Sequence, residues 1–386
     1  MKIIRIKGFK VVVLTKPSSI NSPEFGKATF DEIPKYIIVV ETDEGITGIG
    51  ETARGVDEEN LIRIAKGLIG ENPLKLSWGH LPVAEKKETE LNPESKYGPR
   101  PWERGTEDNF VLEFSKGYEA FEIAIYDVIG KYLELPIYQL LGGAYRNKVL
   151  VNFWIGRMTP EEAAKKAREG KEKGFRGLKM KCALEDPIVE RIEAITEAAG
   201  EDFEIIVDPN ERFYRPAEAI KLLKQLEDFK NVVMVEDPFP KKNMNWYVQL
   251  RQKTTIPVLM HLQDDRDLIN AIKHEAIDYL NTCGNSMTAF LRMANIADAA
   301  GIPCRHGSGL DLGILDMSYI HACAAAKNCI LPSGIQGHFI REDDLIEEKI
   351  KFEGPYAIVP NRPGLGVNLD WDALIKYTIE EIVLAE

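Results

Sequence analysis

No stretch of the sequence approaches the roughly 20 consecutive apolar residues that a membrane-spanning helix needs, so no membrane partner is expected. Cysteine is scarce and scattered. Cys182, Cys283, Cys304, Cys323 and Cys329 are odd in number and include no CxxC pair. A disulfide framework or a structural thiolate zinc site is therefore not expected. Positive charge is in deficit: 49 Lys and Arg stand against 61 Asp and Glu, a formal net charge of -12. A phosphate backbone wants a basic surface, so no nucleic-acid partner is expected, although a local basic site can still take an anionic small molecule. No strand is followed by a GxGxxG turn, which removes a dinucleotide-binding domain. The opening MKIIRIKGFKVVVL lacks a small-residue cleavage site and reads as a strand rather than a signal peptide; a cytoplasmic location is the expectation. Histidine is rare as well, with six in the chain, so the position of each carries information.

What is present suits an enzyme-sized α/β protein. The 386 residues are 44% hydrophobic and 28% charged, enough for a large core and about two domains. The first 50 residues read as a strand meander, with Asp43-Glu44-Gly45 as a hairpin turn and a polar, loop-like stretch from Ser18 to Thr29. A short helix is predicted over 58–70 and a long amphipathic one over 110–133. Between them, 80–108 is a turn-rich loop containing Arg100, Trp102 and Arg104. Such a loop more often marks surface irregularity than function, but these three side chains are candidates to face a ligand. From KVLVNFWIG (148–156) onward, eight short apolar runs recur, seven of them followed by helices, the last and weakest near Cys329–Pro332. Thr159-Pro160 begins the first of these helices with a cap and a proline at its first position. Strand–helix alternation implies parallel pairing and right-handed crossovers, and eight units favour a (β/α)8 TIM-type barrel over an open sheet. The tail from about 350 returns to strand and turn signals.

In a barrel the chemistry sits at the carboxyl ends of the strands. Those ends read Lys179 and Lys181, Asp208 and Asn210, Glu236 and Asp237, then His261, Cys283 and His306. Lysines two apart on a strand share a face. Asp208 and Glu236 end neighbouring strands and offer oxygen ligands for one hard divalent cation. Each alone is an ordinary strand end. Together, two lysines and two carboxylates on three successive strands are costly to bury unless they pair or bind metal. A cation chelated by a substrate carboxylate would stabilise an enediolate, and a lysine beside it is suited to take the α proton.

These residues resemble the enolase superfamily, in its mandelate racemase and muconate lactonizing enzyme branch. AFEIAIYDVIGKYLELPIYQLLGGAYRNKV, GITGIGE, GLKMK, VDPN, VEDP and PGLGVNLD carry the resemblance over nearly the whole chain. It implies a modified barrel over 146–345, capped by an α+β domain built from 1–145 and the returning segment 346–386. It also implies Mg²⁺, with Mn²⁺ as a substitute, a small carboxylate substrate, self-association, and Ser18–Thr29 as a lid. Carried over, Lys181 would be the base with Lys179 as its neighbour, and Asp208 and Glu236 would be metal ligands beside the polar Asn210. The sequence departs from the family at three strand ends. His261 stands where strand five usually has an aspartate, as a ligand or as a satisfied histidine; Asp264 and Asp265 are lesser candidates. Cys283, with Asn281 and Asn285 nearby, stands where strand six usually has a lysine or aspartate. His306-Gly307-Ser308 ends strand seven, with His306 open to three roles: acid for a leaving hydroxyl, second base, or carboxylate binder. Trp154, Arg305 and Ser308 complete the candidate pocket. Three functions follow: a dehydratase of a hydroxy acid or sugar acid, a racemase or epimerase using Lys181 and His306, or a catalytically weak binding or scaffold protein.

Overall fold

The structure, a computed structural model, describes residues 1–16, 22–25, 31–76, 117–282, 286–335 and 337–386. Arg100, Trp102, Arg104, Cys283 and Asn285 lie outside them, as do the 80–108 loop, the start of the helix expected over 110–133, and most of Ser18–Thr29. Strands β1 (Ile3–Leu14), β2 (Glu32–Thr42) and β3 (Thr47–Glu51) form the expected meander, with Gly45 at φ +76° in the β2–β3 turn. Helices α1 (Glu58–Leu68) and α2 (Tyr118–Tyr132) follow, and α2 packs on the sheet. The glycines of GITGIGE explain the close approach. A Cβ at Gly48 would lie 2.0 Å from the Ala124 carbonyl oxygen, and one at Gly50 would lie 1.9 Å from that of Ala120.

After the short α3 (Ile137–Leu140), the segment expected as one strand over 148–156 divides into β4 (Lys148–Leu150) and β5 (Phe153–Ile155). The reason lies in the backbone partners: Val151 N–H donates to the Pro355 carbonyl and Asn152 N–H to that of Ser333. Then come α4 (Pro160–Glu172), β6 (Gly177–Lys181), α5 (Ile188–Ala199), β7 (Glu204–Asp208), α6 (Pro216–Leu226) and β8 (Val232–Glu236). They are followed by α7 (Met244–Arg251), β9 (Val258–His261), α8 (Asp265–Lys273), β10 (Tyr279–Thr282), α9 (Met287–Ala299), β11 (Cys304–His306) and α10 (Gly313–Ala325). The predicted cap of α4 is a full capping box: Thr159 Oγ1 accepts from Glu162 N–H, and the Glu162 carboxylate accepts from Thr159 N–H.

Strands β5 to β11 make one parallel seven-stranded sheet in chain order. The eighth apolar run does not form a strand. It makes isolated parallel bridges instead, Cys329 to Cys304 of β11 and Ser333 to Val151 just before β5, so it spans both edges of the open sheet. Pro332, which has no N–H to donate, falls between these bridges. The architecture is thus a mixed α/β fold with a modified barrel. The tail supplies β12 (Phe352–Glu353) and β13 (Tyr356–Ile358), which pair with β4, then α11 (Trp371–Tyr377) and β14 (Thr378–Ala385), which pairs antiparallel with β1. Helix α11 lies in a segment read as strand and turn. Among the described residues no helix is long and apolar enough to cross a membrane.

Candidate active site

Alternation along the parallel strands decides which side chains meet. Ile206, Met234 and Leu259 form a buried floor inside the barrel, with Tyr279 and Leu331 packed against it. Two residues further along the same four strands stand Asp208, Glu236, His261 and Asn281, so they share the inward face above that floor. Lys181 pairs in register with Asp208, and Asn281 with both His261 and Arg305.

The charges interlock. Lys179 Nζ lies 2.8 Å from Asp208 Oδ2 and 3.1 Å from Glu236 Oε2. Lys181 Nζ is 2.5 Å from the same Asp208 oxygen and donates to Asn210 Oδ1 at 2.5 Å. Asn281 Nδ2 donates to Glu236 Oε1 at 2.6 Å. Arg305 is fully buried below the mouth, with a guanidinium nitrogen 3.7 Å from Glu236 Oε2 and another donating to Asn152 Oδ1 at 2.8 Å. Burial alone would raise both carboxyls, but the lysines hold Asp208 well below its ordinary value, and Lys179 and Arg305 hold Glu236 below its own. The two lysines shift in opposite directions. Burial lowers both, but Asp208 and Glu236 together leave Lys179 raised, whereas burial and the neighbouring Lys179 leave Lys181 lowered.

Above the carboxylates opens a pocket of about 200 Å³. Lys179, Lys181 and Arg54 give it a basic lining, Asn210 and Ser308 polar groups, and Trp154 and Leu310 an apolar wall. Arg54 follows β3 and was missed from the sequence; its signal was an arginine just after GITGIGE. The rim is fixed from the other side of the fold. Asp311 Oδ2 accepts from Gly309 N–H at 2.7 Å and from the Ser308 hydroxyl at 3.1 Å, while Lys35 of β2 reaches Asp311 Oδ1 at 2.7 Å. Of the expected Ser18–Thr29 lid, Ser22 N–H donates to the Arg157 carbonyl, and the Phe25 ring lies under Arg157 and Arg191.

Lys179, Lys181, Asp208, Asn210, Glu236, His261, Trp154 and Ser308 are brought to one mouth or directly beneath it. Two further expected residues, Arg305 and His306, fall outside this group. Arg305 points inward but below. His306, one residue on, points the other way: its ring is buried between Tyr319 of α10, stacked at 3.8 Å, and Phe290 of α9 at 4.7 Å. Its Nδ1 is 2.6 Å from the Gly307 carbonyl oxygen, and burial lowers its pKa to about 4. His306 is thus a buried ring packed between α9 and α10, outside the pocket lining.

Glu236, Asp237 and His261 present ligand atoms within 4.8 Å of one another. Asp237 has other work. Its Oδ1 accepts the His261 N–H at 2.8 Å and its Oδ2 pairs with Lys241 at 2.8 Å. Ionised carboxylates beside an imidazole nitrogen are a donor set that fits a divalent cation.

Residues 162–373 match the enolase C-terminal domain-like family. The N-succinyl-L-Arg/Lys racemase of Bacillus cereus is 27% identical over 373 residues, covering 91% of this chain and 92% of that protein. The D-xylonate dehydratase of Haloferax volcanii is 28% identical over 378 residues, covering 90% and 86%. The solved structure of the Bacillus cereus racemase superposes with a TM-score of 0.81 at 24% identity, covering 99% of this chain and 100% of that one. The dipeptide epimerase of Enterococcus faecalis, solved with Mg and a dipeptide, gives a TM-score of 0.77 at 23% identity over 95% and 99%. With the barrel, the basic pocket and the acidic and histidine ligands in place, the chain belongs to the enolase superfamily, in its mandelate racemase and muconate-lactonizing branch, and is an enzyme of metal-assisted turnover of carboxylate substrates.

Proposed function

We propose that Lys181 removes the proton α to the carboxylate of a small hydroxy acid or sugar acid with hydroxyls on both C2 and C3, and that the resulting enediolate loses its β-hydroxyl. The observation that carries this reading is the split between the two lysines. Lys179 is locked as an ammonium between two carboxylates, whereas Lys181 keeps 20% of its side-chain surface open to the pocket. Lys179 holds the substrate carboxylate, and Asn210 orients Lys181. Asp208, Glu236 and His261 would hold Mg²⁺ or Mn²⁺. Bound there, the ion would supply electrophilic stabilisation of the charge that develops on the substrate carboxylate. The proton passes from Cα to Lys181 Nζ. As the C–O bond breaks, the lysine ammonium on the same face returns a proton to the departing hydroxyl, leaving an enol that becomes a 2-keto acid. His306 has no part in this route.

Epimerisation is the second reading, favoured by relatives that carry racemase and epimerase names. In either reading, 1–145 and 346–386 cap the barrel of 146–345, and the chain self-associates in the cytoplasm. Incubating a panel of hydroxy acids and N-acylated amino acids in deuterated water, followed by NMR, tests both. Dehydration gives a keto acid, and epimerisation gives an α-deuterated isomer. Lys181→Ala should cut turnover by about 10³-fold. A variant that still turns over the identified substrate at the wild-type rate excludes Lys181 as the base.

A further inference from the structure

The candidate metal cluster at the ends of β8 and β9 mixes carboxylates with an imidazole, the ligand atoms of Glu236, Asp237 and His261 lying within 4.8 Å of one another. We infer that the site selects a nitrogen-accepting first-row ion, in the range from Mn²⁺ to Zn²⁺, over Mg²⁺, because His261 gives it a ring nitrogen. The inference rests on the metal reading above and concerns the identity of the ion.

Three features support it. The first is placement. His261 stands two residues above the floor residue Leu259, on the inward face that also carries Glu236. Its backbone is clamped by a relay in which Asp237 accepts its N–H at 2.8 Å, Lys241 pairs with Asp237 at 2.8 Å, and Glu211 pairs with Lys241 at 2.9 Å. Asp237 thereby fixes the strand end that carries the imidazole. The second is charge. Asp208 and Glu236 face three cations, Lys179, Lys181 and Arg305, with Lys179 directly between the two carboxylates. A third carboxylate on strand five would balance the third cation, whereas a neutral imidazole does not. A hard ion bound mainly by charge is therefore disfavoured here, and one whose bond to nitrogen has covalent character is favoured. The third is chemistry. Mg²⁺ demands oxygen octahedra and sheds water reluctantly, while imidazole suits the later first-row ions in Irving–Williams order.

The test uses the full chain stripped of metal with chelator. Calorimetric titrations with Mg²⁺, Mn²⁺ and Co²⁺ are compared for the wild type and His261→Asp. The wild-type preference for Co²⁺ over Mg²⁺ should fall by about tenfold or more in the variant. Pulsed EPR of the wild type loaded with Mn²⁺ should show coupling to a directly bound nitrogen, a measurement that needs no variant to fold. Mn²⁺ binding without nitrogen coupling, or the same Co²⁺ to Mg²⁺ ratio in both proteins, overturns the role of His261 and leaves the metal reading standing. Failure of the wild type to bind any of the three ions overturns both.

Discussion

Lys35 has no side-chain exposure, yet it stays charged because it lies 2.7 Å from Asp311 and 3.3 Å from Glu51. Burial would lower its pKa, but the two carboxylates more than reverse that and leave it raised. Lys35→Met would leave two like charges together without their cation. The expected cost is about 3–5 kcal/mol, read by urea unfolding, because a buried pair broken on one side leaves an uncompensated charge. Adding Asp311→Asn should recover part of that loss; full additivity of the two substitutions would show that the pair is not coupled. Single residues also mark where the sequence was hard to read. Asp208, Glu236 and His261 stood out because each ends an apolar run. His306 did too, but Cys-Arg-His is only three residues long and shows no alternation. Register resolves it, since Arg305 lies beside the inward Asn281 whereas His306 lies beside Thr282. Lys35 gave no signal, because its partners lie on β3 and beyond β11.

At the scale of elements, two carboxylates outside the barrel sheet hold the starts of barrel helices. Glu122 of α2 accepts from Met287 N–H at 2.6 Å and Thr288 N–H at 3.4 Å, at the start of α9. Glu51 of β3 accepts from Leu312 N–H at 2.7 Å and Leu315 N–H at 2.8 Å, at the start of α10. Both satisfy helix-end donors and, when ionised, place negative charge at positive dipole ends. Burial still raises Glu122 to about 7, against the pull of those hydrogen bonds. Its folded pKa therefore exceeds the 4.5 of an unperturbed glutamate, and between the two the folded state binds the extra proton. Stability from this group is complete below that lower value and is lost as pH rises through about 7. Glu122→Gln removes the titration. Thermal midpoints of wild type minus variant should therefore shrink from pH 4.5 to 7, and a difference that grows over that window would contradict the raised pKa. Seven of the eight barrel runs were legible because buried parallel strands are continuous apolar segments flanked by helices. The β4–β5 division was not, since it depends on where Pro355 and Ser333 offer carbonyls far along the chain. The helix of α11 was missed although Asp370 caps it, its side chain accepting from Ala373 N–H at 2.9 Å.

Across the whole molecule, the two ends of the chain are joined by one strand pairing. β14 lies along β1 from Ile6–Ala385 to Val11–Thr378, with β1 between it and β2. Leu384 is 2% exposed and sits in the apolar cluster with Ile3, Ile6 and the inward side of α2. Gly8 makes room for it, since a Cβ there would meet Leu384 at 3.1 Å. Deleting 378–386 would remove this side chain and turn β1 from an interior strand into an edge. The buried leucine alone is worth about 2 kcal/mol, and the bare edge of a long apolar strand is a template for pairing with other copies. The deletion should therefore lower the thermal midpoint and give concentration-dependent aggregates by light scattering. Leu384→Ala, which keeps the backbone pairing, should lower the midpoint without promoting aggregation. If the deletion matches Leu384→Ala in both respects, the pairing contributes only its apolar contact, and the closure of the sheet by the chain's own tail is not what protects the β1 edge.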